Sequence, residues 1–434
     1  MNRRPAGLGA TAKFRVMHAW PAARVPNLPR NTNPEIDDRV RVWDTESRAL
    51  KAVGPQTGSA GLYVCGITPY DATHLGHAFT YLTFDLLQRA WRDLGLDVTY
   101  VQNITDVDDP LLERAEETGE DWRELAASQV ELFRTDMRSL RVLPPDHYVA
   151  ATEALDLVIG TVQELDAKQF AYRVADEQYP DWYFRSDAVE GFGQISHLTR
   201  AEQLAEFAEK GGDPDRAGKV DALDSLVWLL KRDGEPSWPS ALGQGRPGWH
   251  VECTAIAQHY LGSDFSVQGG GRDLAFPHHE MCAAVGRAVT GERFAQAYVH
   301  VGMVALNGEK MSKSLGNLEL VSRLRAGGVA APVIRLALLA HHYRNDWEWF
   351  PTDIEWAQRR ADAWVAAFRA PAGTPAGPVI DDLRRAMRGD LNSPRALAAV
   401  DEWTAAALAG DGTDSQAPTQ VAEAVDALLG VSFD

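Results

Sequence analysis

Apolar residues along this chain come first in short runs bounded by turn formers and later in long helical periods. The first strong run is 61–65 (GLYVC), which predicts a strand ending in a turn. Apolar spacing near the helical repeat predicts a helix over 77–94, and 98–102 (VTYVQ) predicts a second strand. Strand, helix and strand at this spacing make a βαβ unit and so a parallel sheet. Ahead of it, residues 17–60 are rich in Pro, Gly and polar side chains and hold one strand, 40–43. Residues 110–140 read as one acidic amphipathic helix, stopped at Pro144 and Pro145.

Residues 147–225 differ in character, with a helix, a short strand at 182–185 and the Gly/Asp-rich turn EKGGDP at 209–214. They read as an insertion between two halves of the sheet, which is expected to resume with strands at 226–231, 265–268 and 298–301. After the lysine-rich loop at 310–314 the chain is expected to be helical to its end, interrupted by linkers at 370–378 and 411–418. No internal repeat is visible. The expected division is an extension (1–39), a first catalytic half (40–146), an inserted subdomain (147–225), a second catalytic half (226–300), a loop region (301–346) and a helical domain (347–434).

Composition narrows the function. The 434 residues carry a net charge of −18, and the pattern shows no basic stripe of the kind that holds a long polyanion. No apolar run is long enough to span a bilayer. The N-terminus lacks a compact apolar core with a cleavage site, so no signal peptide is expected. Met17 is a second candidate start, and residues 1–16 read as a disordered extension. Three cysteines, Cys65, Cys253 and Cys282, argue for a reducing cytoplasm without a disulfide framework.

Three segments carry candidate nucleotide chemistry. His74-Leu75-Gly76-His77 sits where the first strand turns into the first helix, and a helix N-terminus offers free N–H groups and a positive dipole end to phosphate. Gly76 there admits close backbone approach, and both imidazoles are hydrogen-bond donors for phosphate oxygens. Lys310-Met311-Ser312-Lys313-Ser314 places two lysines where pyrophosphate charge develops. Gly269-Gly270-Gly271-Arg272-Asp273 follows a strand, where glycines admit a ligand and a carboxylate accepts from ribose hydroxyls. HxGH early and KMSKS more than 200 residues later are together the two signatures of class I aminoacyl-adenylate-forming enzymes.

Cys65, Cys253 and His278 flank the same expected sheet edge. Two thiolates and one imidazole suit Zn²⁺ and leave a fourth tetrahedral position open, which implies chemistry or ligand recognition. A substrate thiolate fits that position and would select cysteine over serine. Cys282 lies four residues after His278 on an expected helix, either as a fourth ligand or as a packing residue. Packing is favoured, because a closed site would exclude the substrate sulfur.

On these motifs, CGITPYDATHLGHAFTY, VQNITDVDD, EPSWPS with GRPGWHVEC, GGGRDLAFPHHE and GEKMSKSLGN, the chain from about 40 to 346 resembles the cysteinyl-tRNA synthetase superfamily. The synthetases typically read CGPTVYD in the first motif. CGITPYD here is similar to the branch that ligates cysteine to glucosaminyl-inositol, as are the 120 residues after Ser314, Cys282 in place of a ligand glutamate, and the 209–214 turn with Lys210 for the usual Arg. The resemblance implies an α/β class I (HUP) Rossmann sheet with an inserted connective subdomain and a C-terminal helical bundle. It implies one Zn²⁺ on Cys65, Cys253 and His278, and MgATP, L-cysteine and an amino-sugar inositol acceptor as substrates. Neither tRNA nor a membrane is expected as a partner, and nothing demands more than a monomer. His74, His77, Lys310 and Lys313 would stabilise the phosphate charge. Cys65, Gly66, Ile67, Thr68, Thr80, Asn103, Ile104 and Thr105 would line the cysteinyl-adenylate pocket, with Trp249 as its wall. Gly271, Arg272 and Asp273 would hold the ribose and the backbone near Val304 the adenine, with Asp273 also a candidate base for the acceptor amine.

Overall fold

The computed structural model describes residues 17–70, 73–311 and 318–433, so the expected extension at 1–16 lies outside the described residues, as does Lys313. Five parallel strands form the central sheet in the spatial order Ala295–Val301, Phe265–Gly271, Ser59–Val64, Asp97–Ile104, His147–Ala150. Leu62, Tyr63 and Val64 have no exposed surface, as a parallel strand covered on both faces requires. All strands point the same way, so the ends of three of them (Val64, Ile104 and Gly271) share one edge.

The first helix, Leu75–Asp93, is buried on nearly every side. It lies between the sheet and the helices Ala331–Leu339, Ala376–Arg388 and Ala417–Leu429. That position explains its apolar residues at almost every phase rather than along one stripe.

The inserted region builds its own antiparallel sheet, Ala171–Arg173, Trp182–Phe184, Ser225–Leu230 and Gly245–Pro247. The run expected at 226–231 to resume the parallel sheet therefore pairs in the insert instead. An apolar run marks a strand but not its partner, and here Trp228 packs with Trp182 and Phe184 in the insert's core. The helix Leu155–Ala167 seats this unit on the helix Trp249–Leu261.

Two other expectations change. The single helix over 110–140 is two, Asp109–Thr118 and Trp122–Ser139. Gly119 ends the first in the left-handed region (φ 70°), and the Asp121 carboxylate caps the second. The strand at 40–43 is half of a hairpin, Val40–Asp44 with Ala49–Val53. Beyond the loop region, Trp347–Glu348 interrupts the helices and pairs with Val304–Leu306. Helices Pro351–Phe368, Ala376–Arg388, Ser393–Ala409 and Ala417–Leu429 follow. The two linkers between them touch, with Gly373 bridging Asp414. No helix among the described residues is long and apolar enough to cross a membrane.

Candidate active site

The edge where the strands end gathers the candidate residues. Cys65 follows the Ser59–Val64 strand directly, and its N–H donates to the Gly269 carbonyl (3.1 Å). Cys253 lies on the second turn of the helix Trp249–Leu261, one helical repeat from Trp249 and so on its face. His278 sits in the tight turn Ala275–His279 that leads into the helix Glu280–Thr290. All three are buried, and one donor atom from each lies within 4.8 Å of the other two.

Imidazoles flank these donors. His278 Nε2 is 3.2 Å from Cys253 Sγ, and its Nδ1 is 3.0 Å from His250 Nδ1. Burial, then the charge of His278, pulls His250 down to about 3, so His250 stays neutral. That contact fixes the orientation of the His278 ring, with Nε2 facing Cys253. His279 Nε2 lies 3.2 Å from Cys65 Sγ, while its Nδ1 meets His300 Nε2 (2.8 Å) and His300 Nδ1 meets Thr45 Oγ1 (2.7 Å). Burial keeps His279 well below its usual range and His300 near about 4, so this is a chain of neutral rings ending on a sulfur. The Trp249 ring stacks on His278 at 4.3 Å.

Burial pushes the Cys65 and Cys282 thiols well up. Burial also opposes ionisation of Cys253, but hydrogen bonds from Cys282 and Cys65 and the charge of His278 outweigh it and hold this thiol well below its usual range. Cys282 Sγ is 3.8 Å from His278 Nε2 and directs its S–H at the His250 carbonyl (3.4 Å). A carbonyl only accepts, so Cys282 keeps its proton in this arrangement. Gln268 reaches toward Cys65 and Cys282 from the strand beneath, and neither of its buried amide atoms has an ordinary hydrogen-bond partner. Among the described residues no Lys or Arg hydrogen-bonds the sulfurs. Two soft sulfur donors and an oriented imidazole, with no Lys or Arg among the described residues paired to the sulfurs, fit a zinc ion.

The nucleotide motifs meet at the same edge. His74 is the N-cap of the first helix, and its Nδ1 accepts from the Gly76 N–H (3.1 Å), so its ring proton resides on Nε2. The His74 and His77 rings stack at 3.8 Å. Leu75 N–H donates to the Glu319 carbonyl (3.0 Å) and Val321 N–H to the Thr73 carbonyl (3.2 Å), which pins HLGH against the segment that follows the lysine loop. Lys310 closes the short strand Glu309–Lys310.

The glycines answer largely to protein packing. A Cβ on Gly76 would meet the His74 ring at 2.9 Å, and one on Gly66 would meet the Asn103 carbonyl oxygen at 1.6 Å. In the triple-glycine run, Gly269 makes room for Phe84 of the first helix and Gly270 for His279. Only at Gly271, beside Asp273 Oδ1, does the missing side chain border a candidate ligand group.

The remaining candidates divide. Gly66 N–H donates to Asn103 Oδ1 (2.8 Å) and Thr105 N–H to the Ile67 carbonyl (3.1 Å), so 65–68 and 103–105 form one wall, with Ile104 and Ile67 buried behind it. Thr80 turns its hydroxyl back to the Gly76 carbonyl (3.1 Å). Arg272 forms a two-pronged pair with Asp346 (2.8 Å on each oxygen). Val304 gives its carbonyl to Met311 N–H (3.1 Å). The motif reading passed over His250, Glu252 and His279, each adjacent in sequence to a chosen residue. Glu252 is buried between Thr105 and Cys253, and burial, then the charge of Cys253, lifts its carboxyl well above the usual range. The signal available was an ionisable residue beside a candidate ligand inside GWHVEC and FPHHE.

Residues 52–359 match the family model described as tRNA synthetases class I (C) catalytic domain. A Thermomonospora curvata protein named L-cysteine:1D-myo-inositol 2-amino-2-deoxy-alpha-D-glucopyranoside ligase is 55% identical over 419 residues, 96% of this chain and 100% of the relative. Proteins of the same name from Gordonia bronchialis (56%, covering 96% and 99%) and Mycolicibacterium vanbaalenii (55%, covering 100% of both) match as well. Among solved structures, Mycobacterium tuberculosis methionyl-tRNA synthetase bound by methionyl-adenylate superposes with a TM-score of 0.62 at 14% identity, over 86% of this chain and 92% of that one. Agrobacterium radiobacter K84 leucyl-tRNA synthetase, in a ternary complex, superposes with a TM-score of 0.60 at 11% identity, over 86% and 84%. These structures speak for the fold alone.

Proposed function

The chain belongs to the class I tRNA synthetase (C) catalytic family and, within it, to the L-cysteine:1D-myo-inositol 2-amino-2-deoxy-alpha-D-glucopyranoside ligases, and from that premise we propose the reaction it performs. ATP activates L-cysteine to cysteinyl-adenylate with release of diphosphate. The amine of glucosaminyl-inositol then takes the cysteinyl group as an amide, releasing AMP. The carrying observation is the cluster of Cys65, Cys253 and His278 donors within 4.8 Å of one another, on the edge that also bears the HLGH helix N-terminus.

Cys65, Cys253 and His278 would hold zinc, which would supply a soft Lewis-acid position for the sulfur of free cysteine and so reject serine. Trp249, stacked on His278, would wall that position. The wall of 65–68 and 103–105 would set the cysteine carboxylate toward the first helix. In the first step the carboxylate oxygen attacks the α-phosphorus, an O–P bond forms and the bond to diphosphate breaks. His74 Nε2–H, His77 and the helix N-terminus would donate to the phosphate oxygens there, with Lys310 and Lys313 from the loop. In the second step the neutral amine attacks the carbonyl, a C–N bond forms and the C–O bond to AMP breaks. Asp273 is our candidate to take the amine proton. No protein nucleophile is needed, so positioning and charge stabilisation carry the rate.

The test is the product mass from cysteine, ATP and glucosaminyl-inositol. We expect the cysteinyl amide together with AMP, formed only with cysteine present. Charging of tRNA with no amide would replace this reading.

A further inference from the structure

The EKGGDP turn of the insert has no place in the chemistry above, yet its lysine reaches the site's own backbone. Lys210 follows the helix Arg200–Glu209, whose N-terminus is secured by reciprocal bonds between Thr199 and Glu202. Its ammonium has three N–H donors, and all three are used. They reach Glu206 Oε2 (2.7 Å), the Asp273 carbonyl (2.8 Å) and the Phe276 carbonyl (2.6 Å). The Glu206 contact is an ordinary pair one turn back along a helix. The other two cross from the insert to the turn that carries Asp273 and leads two residues on to His278.

Neighbouring contacts make the crossing rigid. Phe207 of the same helix packs with Phe276 and Met281, and Gly212 lies where a Cβ would strike the Phe207 ring at 2.6 Å. At the far end of the segment the Glu280 carboxylate accepts from the backbone N–H groups of Gly193 (2.9 Å), Ile195 (3.1 Å) and Ser196 (2.9 Å). Residues 273–280 are thus gripped by the insert through a cation at one end and an anion at the other.

We propose that Lys210 is a positioning residue for the reaction: by holding the Asp273 and Phe276 carbonyls it sets the turn on which both the ribose-side carboxylate and the sulfur-site imidazole depend. This rests on the reaction proposed above. An arginine reaches two carbonyls as well, whereas an apolar side chain of similar length fills the space and grips neither.

The experiment compares wild type, K210M, K210R and E206Q by cysteine-dependent ATP–pyrophosphate exchange, thermal melting and the rate of zinc loss to a chelator. For K210M we expect KM for ATP and for cysteine to rise about tenfold with kcat within about threefold, and zinc loss to quicken about tenfold, the scale of removing an outer support of a metal site. K210R should recover to within about threefold of wild type, and E206Q should match it. Unchanged KM values and zinc loss in K210M overturn the proposal. So does K210R failing as badly as K210M, or a K210M protein that does not fold. The last result would make the lysine a folding residue. If wild type itself shows no cysteine-dependent exchange, the proposed reaction falls rather than the role of Lys210.

Discussion

Two clusters of buried ionisable groups lie on opposite sides of the central sheet, and they handle burial in opposite ways. Behind the sheet, Asp85 of the first helix meets Arg89 (2.8 Å) and Arg335, all three almost without exposed surface. The guanidiniums spend their remaining donors on carbonyls. Arg89 reaches those of Arg141 (2.9 Å) and Asp426 (2.8 Å), and Arg335 those of Leu140 (2.6 Å) and Leu429 (2.7 Å). Asp85 also accepts from Leu143 N–H (2.9 Å). Burial works to raise Asp85, but the two arginines win and hold it below the usual carboxylate value, while burial brings Arg335 down to about 10, still charged at neutral pH. This cluster is complete within the chain, and it bolts the C-terminal helices to the catalytic half.

At the strand ends, Cys65, Cys253 and His278 are as deeply buried, but among the described residues no Lys or Arg pairs with them. Burial holds two of the three neighbouring thiols protonated, and the negative charge the third can carry is shared through hydrogen bonds. An electrostatically closed cluster reads as structure. One with soft donors and no Lys or Arg paired to them reads as a receptor for a cation.

The sharpest way to break this comparison is to open the closed cluster. Asp85→Ala strands two buried guanidiniums and should cost about 3–5 kcal/mol of unfolding free energy. A urea titration showing a loss under about 1 kcal/mol would remove the distinction between the two clusters. Cys253→Ala attacks the open cluster. It should abolish zinc retention, measured by metal analysis after dialysis, together with cysteine-dependent exchange. It should also shift the stability of the metal-free protein by less than about 2 kcal/mol.

A third comparison uses pH. No Lys or Arg among the described residues pairs with Asp106, and burial lifts it to about 6 despite hydrogen bonds from Thr152. A carboxyl raised in the folded state contributes stability at low pH and loses it as pH climbs from its ordinary value of 3.8 toward about 6. Asp85, being lowered, contributes stability above its ordinary value and loses it as pH falls below. Asp106→Asn should therefore flatten the decline of stability between those two pH values, and an unchanged profile would show that the site is not desolvated as described. The smallest effect is expected at Cys282. Cys282→Ser keeps a donor for the His250 carbonyl and should retain zinc and exchange, losing about 1 kcal/mol. Loss of the metal would make Cys282 a ligand.

Much of the fold was legible because burial imposes periods on the sequence. The runs at 61–65 and 98–102, and the helical spacing after His77, locate strands and a helix within a few residues of Ser59–Val64, Asp97–Ile104 and Leu75–Asp93. The break at Gly119 was equally local and was missed because the acidic periodicity on either side of it continues. Partner choice was not local. Ser225–Leu230 has the apolar content of a core strand, and its pairing with Trp182–Phe184, Trp228 opposite Trp182, decides that it belongs to the insert.

The sequence by itself determined which chemistry this protein carries: two nucleotide signatures in order, three cysteines and a histidine beside them, and an acidic balance suited to a small substrate. Those are properties of residue type and spacing along the chain. Only the tertiary structure decided that residues 65, 253 and 278 share one point in space, that His250 and His279 orient the donors, that Arg272 is spent on Asp346, and that Lys210 reaches across to the Asp273 turn. The physical reason is that a hydrogen bond or a metal position depends on donor geometry to fractions of an ångström. Segments far apart in the chain acquire that geometry only when the sheet aligns their ends.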